Sequence, residues 1–341
     1  MDSKTTNSPR TVNLALQGGG AHGAFTWGVL DRLLEDPRII IEGVSATSAG
    51  AMNAAVLAHG LTLGGREGAR QALADFWKRV ARAASFSLLR PPMFGRTGLE
   101  PEYSPAHMAF DMLSRVFSPY QWNPLNVDPL RGVIEEVVDF DTLRERSAVK
   151  LFLSATNVRT GKIKVFTDKE ITADCVLASA CLPLLHQAVC IGREHYWDGG
   201  YMGNPALFPL IYGCDSQDIV VVHVNPVERP DIPHSAQDIM NRVNEIAFNS
   251  SLMREMRAVA FVTGLLDERK LENSGLKRML VHAISADDVM RGLGAASKLN
   301  VDWDFLTHLN GVGRERAATW IETHYEALNV ESTIDIRAAY L

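Results

Sequence analysis

The chain has 341 residues, of which 46% are hydrophobic and 22% are charged, a balance that is ordinary for a soluble globular protein. Its formal net charge of -6 argues against a molecule that holds nucleic acid by overall positive charge, and we expect no nucleic-acid partner. The sequence has no run of about 18 apolar residues, and its polar first ten residues lack a signal-peptide core, so we expect a cytoplasmic location. The cysteines show no CxxC spacing, which favours buried free thiols over a metal site or a disulfide framework.

In chain order, apolar runs and helical spacing predict an alternation of strands and helices. The predicted strands are 12–16, 39–44, 150–155, 162–166, 189–197, 219–224 and 278–284. The predicted helices are 25–34, 49–59 (ended by Gly60), 72–84, 173–180 and 237–270, and residues 287–341 are mostly helical. This alternation predicts a three-layer α/β domain with a largely parallel sheet.

The pattern divides the chain into a disordered tail at 1–10, a core at 11–225, and a mostly helical part at 226–341 that packs on the core. Within the core, residues 86–130 form an irregular excursion that is rich in proline and large apolar side chains, with one helix predicted at 107–117. A second packed layer of core is the preferred interpretation of this excursion. A lid, or the wall of an acyl-binding groove that touches a membrane surface, is the alternative.

The first motif is the glycine loop Gly18–Gly23, which links a predicted strand to a predicted helix. Glycines leave backbone N–H groups free to converge, and the start of the next helix adds a partial positive charge. Such a loop can hold an anion, for example the oxyanion of an acyl transfer, and a simple tight turn is the alternative. Dinucleotide binding is disfavoured, because the spacing does not match GxGxxG followed by an acidic residue about 20 residues on.

The second motif is the serine turn Ala46–Gly50, which resembles the nucleophile elbow GxSxG between a strand and a helix. Ser48 stands at the nucleophile position, and small neighbours let the two backbones approach each other. Ala46 replaces the first glycine, which keeps the turn small but disfavours a positive φ. A helix start that is capped by serine or threonine is the alternative interpretation.

The third motif is Asp198-Gly199-Gly200 at the end of a predicted apolar strand, with Trp197 and Tyr201 beside it. Asp-Gly is also a common turn dipeptide. Aromatic neighbours can remove water from a carboxylate and strengthen its basicity. A carboxylate at a strand end could then reach a serine hydroxyl and act as its base.

Taken together with the small-residue segment Ala178–Pro183, these motifs make the chain resemble the bacterial patatin-like phospholipases over residues 11–225. The resemblance implies a three-layer α/β/α patatin-like fold with a mostly parallel central sheet and helical C-terminal additions. It also implies a Ser-Asp dyad, with Ser48 as the nucleophile and Asp198 as the general base. The oxyanion loop would contain Gly18, Gly19 and Gly20, supported by Gly23, Ala46, Gly50, Gly199 and Gly200. Ala46 and His22 depart from the family, which usually has glycine and often arginine at these positions.

The activity that the resemblance implies is hydrolysis of fatty-acyl esters, with phospholipids as the expected substrates, through an acyl-enzyme. No metal and no organic cofactor are implied, and the expected partner is a lipid or ester substrate met at a membrane surface; the sequence sets no oligomeric state. A carboxylesterase that acts on short soluble esters is one alternative. A non-catalytic patatin-like binding or regulatory protein is the other.

Two further features bear on rival functions. A histidine triad is disfavoured, because His223 and His282 lie in predicted core strands and His195 would point to the opposite face of its strand from Asp198. The segment Leu309–Ala318 resembles the hairpin of helix-hairpin-helix DNA-binding modules, but its acidic surroundings favour a plain helix N-terminus.

Overall fold

The computed structural model describes residues 8–85, 117–268 and 275–341. Its strands are β1 (Arg10–Leu16), β2 (Ile39–Ala46), β3 (Lys150–Asn157), β4 (Ile163–Thr167), β5 (Val189–Ile191), β6 (Glu194–Asp198), β7 (Asp218–Val222) and β8 (Leu280–Ile284). Its helices are α1 (Gly23–Glu35), α2 (Ala49–Ser85), α3 (Pro119–Trp122), α4 (Pro129–Val137), α5 (Phe140–Arg146), α6 (Ala173–Ser179), α7 (Phe208–Gly213), α8 (Ala236–Asp267), α9 (Asp287–Met290), α10 (Trp303–His324) and α11 (Ile336–Tyr340).

The strands form one sheet in the order β5-β6-β3-β2-β1-β7-β8, and β4 pairs with β3 beside this path. Neighbours from β3 through β2, β1 and β7 to β8 are parallel. The pairs β3–β4, β3–β6 and β5–β6 are antiparallel. Because β1, β2 and β3 run the same way, the turns that follow β1 and β2 emerge at one edge of the sheet.

Side chains that alternate along the strands enter two separate cores, one on each face of the sheet. On one face Leu14 and Leu16 pack with residues of α1, α2 and α10. On the other face Ala15 packs with residues of α7 and α8, among them Leu210 and Met256. Helices therefore cover both faces, which confirms the predicted three-layer α/β/α architecture and its mostly parallel sheet.

Helix α2 does not end at Gly60, so the predicted end of this helix is wrong. The helix continues until Gly64 and Gly65, where the backbone leaves the helical conformation, and then resumes to Ser85. A glycine after an apolar stretch is a common end signal for a helix. Here Gly60 serves packing instead, because a Cβ on it would lie 2.5 Å from Cα of Ala69 in the returning arm.

The prediction of a helix N-terminus at Leu309–Ala318 is also wrong, because the segment lies inside α10. Its N–H groups are therefore engaged in the helix, and the hairpin that would present them to a phosphate does not form. Gly313 of this segment instead allows close helix packing. A Cβ on Gly313 would lie 2.1 Å from the Phe25 carbonyl oxygen, and one on Gly28 would lie 2.0 Å from that of Asn310. These two glycines let α1 and α10 cross in close contact.

The remaining predictions concern the excursion, the N-terminal tail, the cysteines, membrane-spanning helices and the division of the chain. Residues 86–116 of the excursion, and with them 107–116 of the helix predicted at 107–117, lie outside the described residues. Residues 1–7 of the predicted tail lie outside them as well, and Arg10 already belongs to β1. All four cysteines are free thiols, but only three are buried. The prediction of burial is wrong for Cys190, because its strand β5 lies at an edge of the sheet. None of the described helices has the length and apolar character needed to cross a bilayer. The division of the chain at residue 225 stays a prediction.

Replacing Gly313 with alanine should lower the thermal unfolding midpoint, because the added Cβ would overlap the Phe25 carbonyl oxygen. Overpacking of this kind costs about 1–3 kcal/mol. The matched control is Gly311→Ala in the same helix, where the added methyl meets open space. That variant should be neutral or gain up to about 1 kcal/mol of helix propensity. Equal midpoints for the two variants, measured by circular dichroism, would contradict the close crossing of α1 and α10.

Candidate active site

The serine turn and the aspartate are brought together by two strands that meet end to end. Strand β4 pairs with β3 over the stretch that ends at Thr156, so it occupies one edge of β3. Strands β2 and β6 must then share the other edge, where Ala46 pairs with Leu153 and Asp198 pairs with Ala155. β2 runs parallel to β3 and β6 runs antiparallel to it, so their carboxyl ends face each other. The turn after Ala46 is thereby directed at Asp198.

Ser48 has a left-handed backbone, with φ of 57°, which is strained for any residue other than glycine. Hydrogen bonds from both sides hold this conformation. The N–H of Ser48 donates to Oγ of Ser179 at 2.9 Å, and Oγ1 of Thr47 donates to the carbonyl of Gly203 at 2.6 Å. The geometry is that of a nucleophile elbow, in which a strained strand-to-helix turn presents the serine hydroxyl.

Small residues around this turn allow strand and helix backbones to approach each other. A Cβ on Gly50 would lie 2.5 Å from the Leu16 carbonyl oxygen, and one on Gly23 would lie 2.8 Å from Cβ of Ala49. Ala46, which stands in place of the first glycine of the motif, is not among the described residues with positive φ. Its methyl group therefore introduces no backbone strain, and the departure from the motif is tolerated.

The glycine loop lies directly against the serine. A Cβ on Gly18 would be 2.5 Å from Cβ of Ser48, so only glycine fits there. The N–H of Gly18 is already engaged, because it donates to Oδ1 of Asn204 at 2.7 Å. The N–H groups of Gly19 and Gly20 have no acceptor within the described residues. The three glycines therefore divide into one that fixes the loop and two whose donors remain available.

Asp198 is fully buried. Its Oδ1 accepts the N–H of Gly200 at 2.7 Å, while its Oδ2 has no hydrogen-bond partner of ordinary geometry in the described part of the chain. Burial raises the pKa of Asp198 to about 7, opposed by the Gly200 N–H and by the nearby Ser48 hydroxyl. The carboxyl therefore changes its protonation state near physiological pH, which is the range in which a side chain can both accept and release a proton.

The turn that follows Asp198 is closed off by its own glycines and by α8. A Cβ on Gly199 would lie 2.1 Å from the Ser154 carbonyl oxygen, and one on Gly200 would lie 2.2 Å from the ring of Phe248. The Phe248 ring also meets Tyr201 edge to face, with centroids 5.1 Å apart. This tight covering excludes water from the carboxyl and is the physical reason for its raised pKa.

Two of the three histidines considered for a triad are engaged elsewhere. His282 is fully buried, and its ring bonds to Asp218 at 2.9 Å and to Thr333 at 3.0 Å. His223 is buried against Tyr340 and hydrogen-bonded to its hydroxyl. Both are core histidines, as the sequence predicted.

Two residues that position the site received no role from the sequence. Ser179 ends α6 and holds the backbone of Ser48, but a serine in a small-residue helix gives no sign of its partner. Asn204 accepts from Gly18 through its side chain, accepts from the Gln17 side chain at 3.3 Å through its carbonyl, and donates its N–H to Ser251 at 3.2 Å. An asparagine before a proline indicates only a turn. The bond to a loop 186 residues earlier is set by the fold.

Comparison with known proteins identifies the family. A family model described as patatin-like phospholipase matches residues 14–211. Among solved structures, VipD from Legionella pneumophila is 15% identical with a TM-score of 0.37, and the alignment covers 89% of this chain and 67% of that one. A chain of the ExoU–SpcU complex from the type III secretion system of Pseudomonas aeruginosa is 16% identical with a TM-score of 0.33. That alignment covers 94% of this chain and 61% of that one. No curated protein sequence matches this chain significantly.

The family match spans more than half of the chain and contains the glycine loop, the serine turn and Asp198. Membership implies a lipid acyl hydrolase as the general activity. The chain belongs to the patatin-like phospholipase family.

Proposed function

We propose that this protein is a serine hydrolase that cleaves fatty-acyl esters of phospholipids with a Ser48–Asp198 dyad. The observation that carries the proposal is the meeting of the two strand ends beside the glycine loop. It puts a strained serine, a buried carboxyl with an unpaired oxygen, and two unengaged N–H groups in one place. Each of these groups matches one requirement of acyl transfer: a nucleophile, a base and an oxyanion site.

In the first step Oδ2 of Asp198 takes the proton of the Ser48 hydroxyl as its Oγ bonds to the ester carbonyl carbon. Oδ2 is suited to this because it has no other hydrogen-bond partner in the described residues, while Oδ1 is held by Gly200. A carboxyl group with a pKa of about 7 is ionised in a large fraction of the molecules at neutral pH. It also binds a proton more tightly than an ordinary carboxylate does. No histidine is needed between the two residues.

The tetrahedral intermediate places a negative charge on the former carbonyl oxygen. We assign its stabilisation to the N–H groups of Gly19 and Gly20, which have no acceptor within the described part of the chain. Gly18 serves the same site indirectly, since its own N–H is used to fix the loop on Asn204. Each hydrogen-bond donor of this kind raises the rate roughly 10²–10³-fold.

The intermediate collapses when the bond to the leaving alcohol breaks and Asp198 returns the proton to that alcohol. Water then attacks the acyl-enzyme, gives its proton to Asp198, and releases the fatty acid while Ser48 regains its hydrogen. The dyad is regenerated after each cycle. The lipid class of the substrate rests on family membership, and the dyad rests on the geometry of the site.

Fatty-acid release from mixed phospholipid vesicles should require the Ser48 hydroxyl. We expect release by the wild type and by Ser250→Ala, whose hydroxyl bonds to the Ala247 carbonyl on α8, and no release by Ser48→Ala. A soluble short-chain ester tested in parallel separates a lipid enzyme from a carboxylesterase. Activity on the soluble ester alone would replace the phospholipase assignment. Equal turnover by Ser48→Ala would contradict the dyad.

The rate constant kcat/KM should rise with pH and level off above a midpoint near 7, because Asp198 must be ionised to accept the proton and its pKa is about 7. Asp198→Asn preserves the shape and should lose about 10²–10⁴ of the rate at every pH. Steady-state kinetics between pH 5 and 9 test both expectations. An asparagine variant that keeps full activity, or a midpoint that survives this substitution, would exclude Asp198 as the base.

Asp198→Asn should also be more stable than the wild type at alkaline pH. The pKa of Asp198 is raised above its unfolded value of 3.8, so wild-type stability is lost as pH rises from that value through about 7. At about 1.4 kcal/mol per pKa unit, the loss is at most about 4 kcal/mol. Urea unfolding at pH 5 and pH 8 should show the stability advantage of Asp198→Asn growing with pH. The surface variant Asp304→Asn should show no such growth, and a constant difference for Asp198→Asn would refute the raised pKa.

A further inference from the structure

The glycine loop is supported from behind by a turn of the C-terminal third. Gly20 has a left-handed backbone, with φ of 59°. A Cβ on Gly20 would lie 2.3 Å from the carbonyl oxygen of Lys298, which belongs to the 3₁₀ turn Ala295–Leu299. Only glycine can therefore occupy this position while the turn is in place.

The side chain of Lys298 reaches the loop at a second point. Its Nζ donates to Oδ1 of Asn225 at 2.7 Å, and Nδ2 of Asn225 donates to the carbonyl of Gly18 at 2.7 Å. Asn225 is almost completely buried, and its backbone N–H donates to Oε1 of Gln17 at 3.1 Å. One lysine thus contacts the loop through its own carbonyl at Gly20 and through an asparagine at Gly18.

The same turn bonds to a histidine of the glycine loop. His22 lies inside the loop, bonds to Oγ of Ser297 at 2.7 Å, and has a pKa lowered to about 3 by burial and by the charges of Lys298 and Arg229. The imidazole is therefore neutral. Burial also lowers the pKa of Lys298, opposed by the carboxylate of Glu245, which pairs with Arg229 at 2.6 Å. The contact of Lys298 with the loop therefore rests on its hydrogen bonds and its packing.

We propose that Lys298 is a positioning residue for the ester hydrolysis proposed above, on which this inference rests. It holds Gly18 through Asn225 so that the N–H groups of Gly19 and Gly20 converge on the oxyanion. The residue lies outside the matched family region, residues 14–211, so it adds a part of the site that the family model does not cover.

The oxyanion exists only in the transition state and the intermediate, so loss of this support should lower kcat and leave KM unchanged. We expect Lys298→Met to lose roughly tenfold in kcat. Lys298→Arg keeps a side-chain N–H donor and should stay within about threefold of the wild type. Lys164→Met, which removes a surface lysine that bonds to Glu170, is the matched control and should behave as the wild type.

Asn225→Asp supplies the second arm, because it keeps the acceptor for Lys298 and removes the donor to Gly18. It should lower kcat like Lys298→Met, and the double variant should be no worse than the poorer single one, since both act through one contact chain. Additive losses would overturn the proposal. So would a loss of kcat that merely follows a loss of folded protein, measured by thermal unfolding of each variant.

Hydrogen exchange of the loop amides provides a readout that needs no turnover. In Lys298→Met the peptide that contains Gly18–Gly23 should exchange several-fold faster than in the wild type, while peptides of α10 remain unchanged. Unchanged exchange would overturn the proposal. A wild type without any ester hydrolysis would refute the proposed function, and the exchange result would then decide the role of Lys298 by itself.

Discussion

The site depends on the absence of a side chain at Gly18, whose Cα faces Cβ of Ser48 so closely that any Cβ would stand 2.5 Å from it. This approach fixes the glycine loop beside Ser48. It is possible because β1 and β2 are parallel neighbours and end together, with Leu16 paired to Ala46. The N–H of Thr47 also donates to the Leu16 carbonyl at 3.3 Å and ties the two turns. The glycine loop and the Ser48 turn are thus held side by side by backbone contacts.

Close packing also determines the pKa of Asp198. Strands β6 and β2 meet end to end. The carboxyl group of Asp198, the last residue of β6, is therefore enclosed by backbone, by Gly199 and Gly200 and by Phe248. Water that would stabilise the ionised form is excluded, and the Gly200 N–H and the Ser48 hydroxyl compensate only in part. Ionising Asp198 in this dry environment costs free energy and destabilises the fold. The same cost raises the pKa of the carboxyl and makes the carboxylate a stronger base. In the proposed mechanism Asp198 acts on Ser48 directly, so the core positions of His223 and His282 are consistent with it.

Sequence pattern was sufficient for what depends on neighbouring residues. Strand and helix periodicity predicted the layers, and the residue types at 18–20, 48 and 198 selected turns that lie close together in the fold. It was insufficient where meaning depends on a distant partner. Gly60 and the Gly311–Gly313 stretch looked like helix ends, yet Gly60 packs against the second arm of α2 and Gly313 packs against α1. Ser179 and Asn204 hold Ser48 and Gly18 through bonds that span more than a hundred residues, and no local pattern indicates such bonds.

The C-terminal third is part of the site rather than an appendage to it. Its strand β8 pairs with β7, α8 supplies the Phe248 ring over Gly200, and Lys298 supports the glycine loop. Gln17 joins these parts, because its side chain bonds to the Asn204 carbonyl, to Asn249 of α8 and to the backbone of Asn225. Burial of Asp198 and the shape of the loop both require contacts from beyond residue 225. The matched family region therefore contains Ser48, Asp198 and the glycine loop, while the remainder of the chain contributes packing and hydrogen bonds around them.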